Sequence, residues 1–159
     1  MKSIWKVFLS TVEKYPNKIA VADDTSKYTY KELLDKVQSI NSLLVKYKTK
    51  NPVVIFAGRS AETVAQILGV IGSGNFYIPL DSTLPKEKIK AIFEDAKPVA
   101  VLGNSEDVNI LNELNLNVDF YSTSNIEKNS SEFSPLSGDE PLYMIYTSGS
   151  TGQPKGVLK

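Results

Sequence analysis

The chain has 159 residues, a length that suits one domain able to bury a core. Eighteen basic and eighteen acidic side chains cancel, and 42% apolar with 23% charged residues is the make-up of a soluble globular protein; no basic arm points to nucleic acid or an anionic membrane. Cysteine and histidine are both absent, which excludes disulfides, thiolate or imidazole metal sites, and Cys-His or Ser-His-Asp catalysis within the chain.

From the N-terminus, Ser3 can cap a helix in which Ile4, Val7, Phe8 and Val12 recur at helical spacing, ending before Tyr15-Pro16-Asn17. Residues 1–6 carry lysine but no long apolar stretch of a signal peptide follows them, and no run reaches membrane-spanning length, so the chain reads as cytoplasmic. Lys18 to Ala22 and Lys27 to Tyr30 flank Asp23-Asp24-Thr25-Ser26 as a short hairpin. Thr29 and Glu32 have capping-box spacing, and the helix they start carries Leu33, Leu34, Val37, Ile40, Leu43 and Leu44 on one broad face to about Tyr47.

From Pro52 the pattern becomes strand-helix alternation. Val53 to Ala57 is a continuous apolar run, as in a parallel strand covered on both faces. Ser60 caps a helix stopped by Gly72-Ser73-Gly74; Phe76-Tyr77-Ile78 is a strand; Pro85 opens a helix through Ile89, Ile92 and Phe93. Val99 to Leu102 is a strand, Ser105 to Leu114 a helix, and Val118 to Tyr121 a further strand. This rhythm predicts an α/β fold, a mostly parallel sheet with flanking helices. Asp81, after Pro79, reads as a turn former. Residues 122–138, rich in Ser, Asn, Glu and Pro, read as a flexible surface connection.

The chemistry concentrates in the last dozen residues. An apolar run from Leu142 to Tyr146 reads as a buried strand and feeds ten residues, 147–156, with three glycines, four hydroxyls, one proline and one lysine. Glycine lets backbone N–H groups approach an anion closely, short hydroxyls add donors, and Lys155 adds charge worth about 1 kcal/mol at 4 Å in water and about 4 near a protein surface. Pro154 reads as stiffening the turn before Lys155. The loop is not a Walker loop, because Pro154 stands where glycine must precede the lysine, and it lacks the spacing of a dinucleotide fingerprint.

Tyr146 to Val157 resembles the phosphate-loop signature of the adenylate-forming enzymes, in the wording of the amino-acid-activating branch, which holds nonribosomal peptide synthetase adenylation domains and D-alanine:carrier-protein ligases. Tyr28 to Leu33 is similar to that family's first core motif. Gly72 to Asp81 is similar to the second, although Gly72, Ser73 and Phe76 depart from it and Lys88 stands where arginine is usual.

The resemblance implies the first part of the large N-terminal domain of such an enzyme, cut off after the phosphate loop. It implies an enzyme that uses ATP and Mg2+ to make an acyl-adenylate from an amino acid, D-alanine among the candidates, and passes it to a carrier-protein phosphopantetheine thiol. Thr147, Ser148, Gly149, Ser150, Thr151, Gly152 and Lys155 are then the positions that handle the β- and γ-phosphates. The magnesium ligands and the catalytic lysine are expected downstream, so the chain alone is expected to be inactive and to self-associate through uncovered apolar surface. The glycine loop is expected to be poorly ordered without nucleotide, because its glycines lack side-chain anchors and Gln153 to Lys159 sits at a free terminus. A non-catalytic phosphate- or partner-binding module and a fragment of an acyl-CoA synthetase are the alternatives.

Overall fold

A computed structural model describes residues 3–148 and 153–159. Helix α1 (Ile4–Lys14) buries Trp5, Phe8 and Val12 at helical spacing. Ser3 holds the cap position through its backbone alone, its carbonyl accepting from Val7 N at 3.1 Å. Strands β1 (Ile19–Ala22) and β2 (Lys27–Thr29) pair antiparallel. Helix α2 (Tyr30–Leu44) begins with the expected capping box: Glu32 N donates to Thr29 Oγ1 at 3.2 Å, and Thr29 N donates to the Glu32 carboxylate at 2.8 Å.

The centre is a four-stranded parallel sheet in the order β4-β3-β5-β6, formed by β3 (Pro52–Phe56), β4 (Phe76–Leu80), β5 (Ala100–Gly103) and β6 (Asp119–Ser122). Helices α3 (Ala61–Gly72), α4 (Lys86–Ala96) and α5 (Val108–Glu113) make the crossovers. Period-2 alternation in the strands divides the core. Val53, Ile55, Ala100 and Leu102 face α1, α2 and α3, whereas Val54, Phe56, Ile78, Leu80 and Val101 face α4 and α5. The helix expected over Ser105 to Leu114 splits into a 3₁₀ turn, Ser105–Asp107, and α5. At its start the Asp107 carboxylate accepts from Asn104 N at 2.8 Å.

Gly72-Ser73-Gly74-Asn75 forms a buried corner between α3 and β4. Gly74 has φ +81°, and a Cβ there would lie 2.6 Å from Thr49 Cγ2, so only glycine fits. Asn75 is fully buried, accepting from Asn51 N at 3.0 Å and donating to Ser73 Oγ at 3.0 Å. The turn role expected of Asp81 is met: its carboxylate accepts from Thr83 N at 2.8 Å and from Thr83 Oγ1 at 2.7 Å.

After β6 the chain runs without regular structure across α2 and α3. Asn41, itself buried, donates from Nδ2 to Ser131 Oγ at 2.9 Å; Ser134 N donates to Gly72 O at 3.0 Å and Leu136 N to Ile71 O at 3.3 Å. Phe133 packs on Trp5 with ring centroids 4.6 Å apart and the rings tilted by 59°, and Leu136 is buried. These anchors are a feature of 122–138 that the polar composition hides.

The chain closes with a hairpin, β7 (Met144–Ser148) and β8 (Pro154–Leu158), antiparallel to each other. A parallel Tyr77↔Tyr143 bridge and the bond from Tyr77 N to Leu142 O, 3.1 Å, join its base to β4. Two expectations are corrected here. The strand leading into the loop is not buried throughout: it alternates, with Ile145 43% exposed, because one face of the hairpin carries no covering layer among the described residues. Pro154, read as stiffening a turn, is instead the first residue of the paired strand Pro154–Leu158, where a missing N–H is tolerated.

Candidate functional site

The register of the hairpin sets the site. Pairing matches Ile145 with Val157, Tyr146 with Gly156, Thr147 with Lys155 and Ser148 with Pro154. Cross-strand partners share a face, so Tyr146 and Gly156 turn toward α4 while Thr147 and Lys155 stand together on the opposite side, both exposed. A hydroxyl donor and an ammonium are thereby placed side by side where the two strands enter the loop between them. Ser148 is the last residue of β7; Gly149, Ser150, Thr151 and Gly152 lie outside the described residues, as does the expectation about order in that loop.

The inner face seats the hairpin. The Tyr146 ring packs with Met144 against the core that holds Ile89, Ile92 and Phe93, and its hydroxyl donates to Asp95 Oδ2 at 2.6 Å. Burial, with the Asp95 carboxylate second, pushes the phenol above its ordinary pKa, so it remains a proton donor. A Cβ on Gly156 would lie 2.7 Å from Met144 Sδ and 3.0 Å from Tyr146 Cζ; the glycine is a notch for that ring. Neither Asp95 nor this use of Gly156 stands out in the sequence, since one is a lone helical carboxylate and the other is absorbed by the loop motif.

Other places suited to an anion are already answered by the chain. In an open parallel sheet the favoured crevice lies at the carboxyl ends of the strands where the order reverses, here between β3 and β5. At that place the first N–H of α3, Ala61 N, donates to Asp23 Oδ2 at 2.7 Å, and Thr63 N donates to Ser60 Oγ at 3.2 Å. The protein's own carboxylate thus occupies the helix end. A surface pocket of about 420 Å³ beside α2 carries Lys27, Lys36 and Lys128, but Glu32 and Asp35 line it too, Lys36 pairs with Glu62, and Lys128 lies 4.0 Å from Asp35. Among the described residues no group of three His, Cys, Asp or Glu side chains forms a metal cage, and no helix is long and apolar enough to cross a membrane.

Comparison with known proteins places the chain among relatives of known fold. Bacitracin synthase 3 of Bacillus licheniformis is 35% identical over 164 residues, covering 99% of this chain and 2% of the synthase. Curated relatives among the most similar are far longer: the chain spans 2% of that synthase and 15% of tyrocidine synthase 1 of Brevibacillus parabrevis. In structure, the N-terminal subdomain of Klebsiella oxytoca NpsA superposes with a TM-score of 0.81 at 25% identity, over 99% of this chain and 42% of that one. The fatty acyl-adenylate ligase from L. pneumophila, solved with acyl adenylate and pyrophosphate, superposes with a TM-score of 0.83 at 25% identity, over 98% of this chain and 30% of that one. The model of the AMP-binding enzyme family matches residues 8–159, from α1 through β8, and with strand order, hairpin and glycine-hydroxyl-lysine tract all in place the chain belongs to that family.

Proposed function

We propose that the chain is the first portion of an adenylation domain that activates an amino acid with ATP, and that the β7–β8 hairpin grips the nucleotide's β- and γ-phosphates. The observation that carries this reading is the pairing of Thr147 with Lys155 on the open face at the mouth of the glycine loop. In this reading Thr147, Ser148, Gly149, Ser150, Thr151, Gly152 and Lys155 supply the donors and charge. They neutralise the polyphosphate as a substrate carboxylate attacks the α-phosphorus, forming the P–O bond of an acyl-adenylate while pyrophosphate leaves. Magnesium, the family's metal, would screen the same phosphates; no ligand for it is assigned among the described residues.

Calorimetric titration with tripolyphosphate tests the grip. Lys155→Ala should weaken binding at least about fivefold, the lower end of what a partly exposed ammonium contributes; equal affinity in the two proteins would refute it. A pyrophosphate-exchange assay over a panel of amino acids, D-alanine included, tests the rest. The expected result is that this chain alone gives no exchange, because it spans 42% of the NpsA subdomain and 30% of the acyl-adenylate ligase on which it superposes. Exchange by the isolated chain would overturn that part.

A second reading, activation of a fatty acid, is favoured by the likeness to the acyl-adenylate ligase. It predicts the same tripolyphosphate result and is separated by which acid supports exchange in the longer enzyme. Ile145, 43% exposed, and its cross-strand partner Val157 share the uncovered face of the hairpin and support self-association of the chain; a monomer mass in sedimentation equilibrium would count against it.

A further inference from the structure

We propose that Asp95 is a positioning residue for the phosphate grip, acting through the Tyr146 hydroxyl to fix the seat of the β7–β8 hairpin on α4. The inference rests on the reading of the hairpin as a phosphate grip.

The hairpin is a two-stranded ribbon joined to the main sheet at its base, through the Tyr77↔Tyr143 bridge. Such ribbons are marginal by themselves and need a surface to rest on. Farther along, between base and loop, the polar side-chain tie to the rest of the fold among the described residues is the 2.6 Å bond from the Tyr146 hydroxyl to Asp95 Oδ2. Tyr146 immediately precedes Thr147, and its partner Gly156 immediately follows Lys155, so the tie acts one residue from each grip side chain.

Asp95 is a fixed point because α4 is fixed. It lies in the last turn of that helix, which is locked into the core by Ile89 and Ile92, both fully buried, and by Phe93. A short hydroxyl-to-carboxylate bond is directional and stronger than a neutral one. The Tyr146 ring lies over the Gly156 notch, spanning both strands, so holding its hydroxyl holds the pair of strands together. Remove the bond and the ribbon can rock about its base, carrying Thr147 and Lys155 away from a shared anion. Asp95 touches no substrate in this account; its effect passes through Tyr146.

The test compares the chain with its Tyr146→Phe, Asp95→Ala, Asp95→Asn and Lys155→Ala variants by tripolyphosphate calorimetry and amide hydrogen exchange. Tyr146→Phe and Asp95→Ala should each weaken tripolyphosphate binding about fivefold and speed exchange of the β7 and β8 amides by a similar factor, the loss of one hydrogen bond. Exchange in β3 and β5 should stay as in the parent, which shows that the fold is intact. Asp95→Asn keeps an acceptor oxygen and should restore most of both effects. The inference is overturned if hairpin exchange is unchanged in Tyr146→Phe and Asp95→Ala while the parent binds tripolyphosphate, or if Asp95→Asn behaves like Asp95→Ala. If parent and Lys155→Ala alike fail to bind, the phosphate reading itself falls and takes this role with it.

Discussion

Asp23 shows how much one surface carboxylate can organise. Its Oδ1 accepts from Thr25 N, Thr25 Oγ1 and Ser26 N at 2.7–3.0 Å, closing the β1–β2 turn, and its Oδ2 accepts from Ala61 N at the start of α3. The backbone donors, Ala61 first, hold its pKa at about 2 against an ordinary 3.8. A carboxylate with a depressed folded-state pKa stabilises the fold above its unfolded pKa and loses that contribution as pH falls through the folded value. Unfolding in urea between pH 3.8 and about 2 should therefore show a falling midpoint in the parent. Asp81 and Glu140 also have lowered pKa values and contribute to the fall, so the difference between proteins is the measure. Asp23→Asn should flatten the slope over that window, and equal slopes would show that the carboxylate's charge is not what ties hairpin to helix.

At the scale of elements, the segment across α2 and α3 after β6 behaves in the structure as a strap. Leu136 is 5% exposed and its N–H is bonded to Ile71 O, so Leu136→Ala should cost about 2 kcal/mol or more in a denaturant titration. An unchanged midpoint would mean that the strap is detached in solution. The strap and the last hairpin mark where sequence reading stops, and for physical reasons. The parallel strands were legible because two-sided burial writes an unbroken apolar run such as Val53 to Phe56, and α2 because Thr29 and Glu32 signal its start. Strap anchors such as Phe133 and Leu136 are single apolar residues in polar surroundings, with no period to reveal them. In β8, Pro154 and Gly156 carry the marks of a loop, yet the cross-strand partner Tyr146 gives the glycine its place. The adjacency of Thr147 and Lys155 follows from that hidden strand, so the residue types of the candidate site were readable while their arrangement was not.

For the whole molecule, the decisive feature is that the sheet is shared by two separate layers of side chains. Trp5, the single tryptophan, lies in the α1–α3 layer, packed against Phe8 and Phe133 and over Gly72, where a Cβ would come within 2.7 Å of its ring. Ile78 lies in the opposite layer, fully buried between β4 and α4. Because Val53 and Val54 are neighbours on one strand facing opposite layers, loosening either side disturbs the backbone ladder that both need. One cooperative unit is the consequence. Ile78→Val should cost about 1 kcal/mol. Tryptophan fluorescence on the far face should report the same shift in midpoint as far-UV circular dichroism. If fluorescence kept the parent midpoint while the dichroism moved, the two layers would be unfolding independently, and the hairpin resting on α4 would have to be treated as belonging to a separately stable unit.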